Sequence, residues 1–156
     1  MTKEIAGRLN AFLLSDGVDV SGIGGTLTAN ALAVAAMRAT LANALREEDF
    51  AVSVPLAERW AAGVAAVIKE AGLPWNVQRL GCRAEYWFCT PPKNGAQAAA
   101  AIDVDLDAFF HLYAMNRGIL LTPFHNMALL SSSHTEADVD FHTKVSHDGI
   151  QEVLAR

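Results

Sequence analysis

The sequence predicts an α+β fold, a small antiparallel sheet of three to four strands covered by helices. Several alanine-rich or apolar segments repeat with helical periodicity, which predicts helices near both ends of the chain. Two adjacent short segments in the middle alternate in character, as strands do. The predicted order is two long helices, two strands, a helix, one or two short strands and a last helix. A small sheet under helices buries the apolar faces of such a set.

The N-terminal half supplies the helices. A short helix is predicted over about residues 3–14, ending at the turn pair Asp16-Gly17, and the loop that follows has three glycines within residues 22–25. The next helix is predicted over about residues 29–46, with one apolar stripe. A third is predicted over about residues 55–70, with Pro55 in its first turn. The apolar stripes consist of Val34, Met37, Leu41 and Leu45 on one helix and of Leu56, Trp60, Val64, Val67 and Ile68 on the other.

The C-terminal half supplies the sheet. Strands are predicted over residues 76–82 and 84–90, with Tyr86 and Phe88 on one face and Glu85, Trp87 and Cys89 on the other. Residues 91–95 form a loop, and a helix follows over about residues 105–116. A buried strand is expected at residues 119–121, ended by Pro123, and one more at residues 127–130. A capping box of Thr135 with Asp138, or of Ser133 with Glu136, is predicted to start the last helix, over about residues 136–154.

Composition excludes several classes of protein. The chain has 156 residues, of which 52% are hydrophobic and 19% charged, which excludes intrinsic disorder. The charged fraction is below the usual value of about 25%, which indicates a subunit that hides apolar surface. A net charge of −5 argues against a nucleic-acid partner. No stretch looks long and apolar enough to span a membrane, no secretory signal is evident, and two cysteines, Cys82 and Cys89, favour a reducing cytoplasm.

The glycine-rich loop before the second helix is one candidate site. Backbone N–H groups at a helix N-terminus bind anions, and Thr26 and Thr28 add hydroxyl donors. The loop has neither the P-loop nor the dinucleotide-binding spacing. A structural turn and a phosphate contact therefore both remain open.

Arg83 is a second candidate, because it lies between apolar strand residues where a cation needs a partner. That partner is either Glu85, or another carboxylate of the protein, or the carboxylate of a substrate. The segment of residues 121–127 mixes apolar and hydrogen-bonding groups and is expected to line a pocket. His134, Asp138 and His142 recur at helical spacing, but a solvated helix surface is the better interpretation, and no metal site is predicted.

Three segments together resemble a known family. GGTLTANALAVAA (residues 24–36) resembles the G-G-T-x-x-x-N-P-L-x-x-A-A segment of class III aminotransferases, with Ala31 in place of the usual proline. RGILLTP (residues 117–123) is similar to their R-G-V-x-L-x-P, and SSHTEADVD (residues 132–140) to their closing S-x-x-H-T-E-x-D-I-D. The segments occur in the family's order, from about residue 20 to the end. The aminomutase-like branch, with glutamate-1-semialdehyde aminomutase, is the most similar.

This resemblance implies a fold-type I enzyme dependent on pyridoxal 5'-phosphate (PLP), of which the chain is the C-terminal portion. Residues 1–27 would be a remnant of the large domain with the phosphate-contact loop. Residues 28–156 would be the small domain, led by a long connecting helix. By position, the Gly25 backbone and the Thr26 hydroxyl match the segment that contacts the PLP phosphate of the neighbouring subunit. Arg83 matches a position near the substrate entrance, and no catalytic residue is expected in this chain.

The resemblance also implies a cytoplasmic homodimer that acts on an amino acid or keto acid, without nucleic acid or membrane. The family's Schiff-base lysine lies before the first residue of this chain, and Lys3 does not match its context. The isolated chain is therefore expected to be inactive. Two rivals stay open: a stand-alone ligand-binding or interaction domain without catalysis, and a different small α+β enzyme with Arg83 and His125 as its site.

Overall fold

A computed structural model describes residues 2–13, 28–122 and 125–155. The chain divides into two compact units, residues 1–44 and residues 45–156. The predicted turn at Asp16-Gly17, the glycine-rich loop and Pro123 lie outside the described residues.

The first unit contains two helices, α1 (Lys3–Leu13) and α2 (Ala31–Asn43). The helix predicted from residue 29 begins two residues later, because Ala29 has a left-handed φ of 56° that a helix excludes. Asn30 then caps α2 by accepting a hydrogen bond from the Ala33 N–H. The apolar stripe of α2 is exposed, since none of the residues of this helix is buried.

The second unit begins with the longest helix, α3 (Glu47–Glu70). The sequence prediction placed its start at Pro55, but three acidic residues form an earlier first turn that suits the helix dipole. Pro55 lies inside the helix, where its ring costs one backbone hydrogen bond. The predicted stripe is confirmed, since all of its members are buried: Leu56, Trp60, Val64, Val67 and Ile68.

By length and composition α3 is long and apolar enough to cross a membrane, with a mean hydropathy of 1.3 over its most apolar window. The expectation that no stretch reaches this limit is wrong. In this structure the apolar stripe of α3 lies in the core of the second unit, as it does in the core helices of many globular proteins.

A three-stranded antiparallel sheet lies against α3, with strand order β1-β2-β3. Its strands are β1 (Asn76–Leu80), β2 (Arg83–Trp87) and β3 (Met127–Leu129). Gly81 has a φ of 58° in the tight turn between β1 and β2, so β1 ends two residues before its predicted end. β2 begins one residue earlier than predicted and ends at Trp87 instead of residue 90. The α+β class and the small antiparallel sheet are confirmed.

Three further helices complete the unit: α4 (Gly95–Ala100), α5 (Val104–Met115) and α6 (Glu136–Leu154). The short α4 was not predicted, although Asn94 caps it through the Gln97 N–H. The capping box of Thr135 and Asp138 at the start of α6 is confirmed. Helix α6 packs along α3, and Arg59 joins them through two bonds of 2.7 and 2.8 Å to the Asp140 carboxylate.

The core of the unit is rich in aromatic side chains. Tyr86 on β2 stacks against Trp60 and Trp75, with ring centroids 6.3 Å apart in both pairs. Phe110 from α5 meets Tyr86 edge-on at 6.0 Å. Burial raises the pKa of the Tyr86 phenol, so this ring is a neutral part of the core.

Candidate functional site

A polar cluster lies on the face of β2 that points away from the aromatic core. The Arg83 Nη2 donates to Glu85 Oε2 at 3.0 Å, and the His125 Nδ1 lies 3.0 Å from Glu85 Oε1. The Glu85 side chain is 11% exposed, whereas those of Arg83 and His125 are about half exposed at 51% and 47%. Arg83 and His125, the pair considered in one of the rival interpretations, therefore meet through one buried carboxylate.

A second polar pair lies beside this cluster. Asn126 Nδ2 donates to Asp107 Oδ1 at 2.6 Å, and the Asn126 carbonyl accepts the Tyr86 N–H at 3.2 Å. Burial raises the pKa of Asp107, and the hydrogen bond from Asn126 opposes that rise. Glu85, Asp107, His125 and Asn126 line a cavity of about 150 Å³, and alanines of α4 also contribute to its lining.

A larger cavity of about 630 Å³ opens at the outer edge of β3, the edge that does not face β2. Its walls are the segment of residues 118–122, the strand β3 with Leu130, and the first half of α6. Leu121, Thr122 and Met127 line this cavity, and His125 and Asn126 line the smaller one, so the expectation that residues 121–127 line a pocket is confirmed for its described members.

The expected strand at residues 119–121 is wrong. This segment belongs to no described strand, Leu121 is buried, and Leu120 is 82% exposed. The amide of Ile119 instead bonds the Ala114 carbonyl at 3.0 Å, as part of the C-terminal turn of α5 around Gly118.

The interpretation of the histidines as a solvated surface is also wrong for His142. This side chain is 6% exposed, and its ring lies 5.0 Å from that of Trp60. Burial lowers the pKa of His142 to about 4, so it is neutral at physiological pH. His134 precedes α6 and bonds Ser131 through Nδ1 at 3.0 Å. The helical spacing of the histidines carried no signal that separates a buried ring from a solvated one.

The structure does not test the predicted contacts with the cofactor phosphate. Gly25 and Thr26, the expected contacts of the cofactor phosphate, lie outside the described residues. Among the residues that the structure describes, no group of three or more His, Cys, Asp or Glu side chains could hold a metal ion. Cys82 and Cys89 are free thiols.

The geometry defines a helix-covered antiparallel sheet with a polar cluster on one face and an open cavity at one edge. Comparisons with known proteins show which class of protein has this fold. No family model matches the chain. A glutamate-1-semialdehyde 2,1-aminomutase of Thermomicrobium roseum is 34% identical over 130 residues, which are 83% of this chain and 30% of that protein.

Solved structures agree with this match. A glutamate-1-semialdehyde aminomutase from Pseudomonas aeruginosa PAO1 superposes with a TM-score of 0.86 at 42% identity, over 97% of this chain and 34% of that one. A variant of that enzyme, solved in complex with PMP, gives a TM-score of 0.85. An omega-transaminase from Sphaerobacter thermophilus shares the fold, with a TM-score of 0.68 at 24% identity over 82% of this chain and 29% of that one.

The chain therefore matches the C-terminal domain of PLP-dependent class III aminotransferases. Its named relatives are glutamate-1-semialdehyde 2,1-aminomutases, as the sequence motifs predicted. The chain spans about a third of the length of the relatives it matches. The expected cofactor is confirmed for this group of relatives, one of which holds PMP, the pyridoxamine form of PLP.

Proposed function

We propose that this chain is the C-terminal domain of a PLP-dependent aminotransferase or aminomutase. The observation that carries the proposal is the match of 97% of the chain, at 42% identity, to about a third of an aminomutase structure. Residues 1–27 are proposed as the end of the large domain and residues 28–156 as the small domain. The intact protein is proposed to be a cytoplasmic homodimer that acts on an amino acid or keto acid.

In that assembly PLP would supply an electron sink for amino-group chemistry. This chain would help to hold the cofactor, because the Gly25 amide and the Thr26 hydroxyl would donate hydrogen bonds to the PLP phosphate in the neighbouring subunit. The support is the GGT motif before α2, since backbone donors next to a helix N-terminus suit a phosphate.

The residues of this chain do not by themselves fit a complete PLP site. A Schiff-base lysine must lie in a site that excludes water, because only a desolvated or charge-perturbed amine is a good nucleophile at neutral pH. All four lysines of the sequence, Lys3, Lys69, Lys93 and Lys144, are solvent-exposed. None lines either cavity formed by the described residues, and Lys144 is paired with Asp148 at 2.8 Å. The chain alone is therefore proposed to be inactive.

Borohydride trapping tests this proposal. The 156-residue chain is incubated with PLP, reduced, digested and searched for phosphopyridoxyl-lysine, with the Pseudomonas aeruginosa aminomutase as the positive control. We expect one stoichiometric adduct in the aminomutase and only scattered, substoichiometric labelling of the four exposed lysines here. A single stoichiometric adduct on this chain, or amino transfer by it, would contradict the proposal.

The phosphate contact has its own test in an assembled enzyme that includes this chain. Thr26→Ala removes a hydrogen bond to a charged group, which is worth about 1.5–3 kcal/mol, or roughly ten- to a hundredfold in PLP affinity. Thr40→Ala, on the exposed surface of α2, is the matched control and should retain PLP. Equal PLP retention in the two variants would show that the GGT segment is only a turn.

Arg83 is proposed to contribute to the substrate pocket, with its ion pair to Glu85 as the competing role. One guanidinium nitrogen of Arg83 bonds Glu85, and the side chain is half exposed, so the guanidinium can also bind a substrate carboxylate. In the assembled enzyme, Arg83→Lys keeps the charge but loses the fork, and should raise KM for carboxylate substrates with little change in melting temperature. A drop in melting temperature with an unchanged KM would assign Arg83 to structure alone.

The alternative is a stand-alone binding or interaction domain. The observation that favours it is the exposed apolar surface of α2, where Leu32, Met37 and Leu41 are 81%, 57% and 58% exposed. The sequence upstream of residue 1 in the source genome discriminates the two. An in-frame large domain with a lysine-bearing site supports the aminotransferase, and its absence supports the binding domain.

A further inference from the structure

The outer edge of β3 carries backbone groups that no described strand pairs with. Tyr86 N–H bonds the Asn126 carbonyl and Leu130 N–H bonds the Cys82 carbonyl, which fixes the alternation of the β2–β3 ladder. In this register Ala128 faces β2, while the N–H and C=O groups of Met127 and Leu129 point away from it. These four outward groups have no hydrogen-bond partner among the described residues. They can pair with one further strand.

The core is open below this same edge. The cavity of about 630 Å³ lies between β3 and the segment of residues 118–122. Trp60 and Val139, which are 1% and 2% exposed, line it toward the core. Leu120 and Leu129 at its rim are 82% and 61% exposed. An extended segment with apolar side chains would satisfy the backbone of β3 and cover these leucines together.

The two edges of the sheet differ in a way that favours β3. On β1, Arg79 lies in the edge strand and pairs with Glu58 at 3.0 Å, and a charge on an edge strand discourages pairing. The sequence of β3, Met127-Ala128-Leu129, contains no charge and no proline. The structure thus protects one edge of the sheet and leaves the other able to pair.

We infer that β3 is a docking edge that a fourth strand completes, and that this strand comes from the part of the aminotransferase that this chain does not match. The inference rests on the proposed function, because the chain covers 34% of the aminomutase structure and the occupant is placed in the remainder. The strand adds to β3 by main-chain hydrogen bonds and places alternate apolar side chains in the cavity.

Peptide binding to the 156-residue chain tests this inference. Overlapping peptides of about 12 residues, long enough for one strand, are made across the unmatched part of the Pseudomonas aeruginosa aminomutase. Binding is measured by fluorescence anisotropy, and amide hydrogen exchange is followed residue by residue. We expect an alternating apolar peptide to bind and to slow exchange at Met127 and Leu129. Exchange at Ala128, whose N–H faces β2, should not change.

Three variants locate the site. Leu129→Pro removes one outward N–H without breaking the β2–β3 ladder, and should abolish binding. Leu129→Lys keeps the N–H and places a charge on the edge, and should weaken binding by at least about tenfold. Leu80→Lys changes a leucine on β1 that is 82% exposed, against 61% for Leu129, and should leave affinity within about twofold.

The outcomes separate this inference from the proposed function. Binding that both Leu129 variants weaken and Leu80→Lys does not supports the docking edge. Failure of every peptide to bind, binding that Leu129→Lys leaves unchanged, or self-association of the chain through β3 overturns it. A stoichiometric PLP adduct on the chain would contradict the proposed function without altering any of these peptide measurements.

Discussion

The Arg83 guanidinium and the Glu85 carboxylate meet at 3.0 Å on one face of β2, two residues apart in sequence. The alternation of side chains along a strand predicts that residues two apart share a face, and this contact confirms it. The carboxylate is the buried member of the pair and the guanidinium the exposed one. The consequence of breaking the contact therefore depends on which partner is removed.

Arg83→Met should lower the free energy of unfolding by about 1–3 kcal/mol, because it leaves the buried Glu85 with one charged partner fewer. The double variant Arg83→Met/Glu85→Gln should lose less than the sum of the two single changes. Urea unfolding measures all three. Arg8→Met, which breaks an exposed pair with Glu4 on α1, is the control and should have little effect. Additive losses in the double variant would show that the two side chains are not coupled.

His142 should make stability depend on pH in acid. The ordinary pKa of histidine is 6.5, and burial lowers that of His142 to about 4 in the folded chain. Between these values the unfolded chain binds a proton that the folded chain does not, so the free energy of unfolding falls as pH drops from 6.5 to 4. The full loss is of the order of 3 kcal/mol.

Unfolding curves of the chain and of His142→Phe at several pH values check this prediction. Phenylalanine keeps the ring contact with Trp60 but does not titrate, so the loss in this pH range should shrink. His147→Gln is the matched control on the same helix and should retain the full loss. If the free energy of unfolding of His142→Phe falls with pH as steeply as that of the unmodified chain, other groups dominate the pH dependence.

Asp107→Asn should not destabilise the chain at neutral pH. Burial raises the pKa of Asp107, so the ionised carboxylate is the unfavourable form in the folded state. Protonation of Asp107 on acidification therefore raises the free energy of unfolding. An asparagine still accepts the hydrogen bond from Asn126 and carries no charge. Melting temperatures at pH 7 should be equal or higher in the variant. Asp105→Asn, on the exposed side of the same helix, should not change them.

Gly63 on α3 lies against Thr143 on α6. A Cβ added at Gly63 would stand 2.6 Å from the Thr143 Oγ1, and the branched threonine has little freedom to move. Gly63→Ala should therefore lower the free energy of unfolding by about 1–3 kcal/mol, despite a gain in helix propensity of about 1 kcal/mol. Thermal or urea unfolding checks the value.

Thr143→Ala should rescue the Gly63→Ala variant, since it removes the atoms that clash. Gly7→Ala in α1 meets nothing within 4 Å and shows the effect of propensity without the clash. If Gly63→Ala is as stable as the unmodified chain, the two helices are able to move apart at this contact.

The sequence predicted those features that local chemistry determines. The buried stripe of α3 follows from apolar spacing at Leu56, Trp60 and Val64, and the start of α6 follows from its capping box. The start of α3 was missed because a permitted proline position, Pro55, was taken as the first turn. The signal that was overlooked is the acidic first turn of Glu47, Glu48 and Asp49, which begins eight residues before that proline.

The candidate site was predicted less completely than the fold, because its parts meet only in three dimensions. Arg83 and Glu85 are close in sequence, and their contact was foreseen as one alternative. His125 reaches the same carboxylate from 40 residues further along the chain, through the pairing of β2 with β3. The strand expected at residues 119–121 failed for a similar reason, since apolar composition does not reveal whether a neighbouring strand is present.

The pairing of α3 with α6 has a consequence for the order of folding during synthesis. Arg59 and Asp140 are 81 residues apart, so the helices they join come from opposite ends of the second unit. Closing that long loop costs entropy before any contact repays it. A ribosome would therefore release α3 well before α6 is made. The strands β1 and β2 emerge in between, so only the side of α3 that packs against α6 would stay uncovered until the last helix is complete.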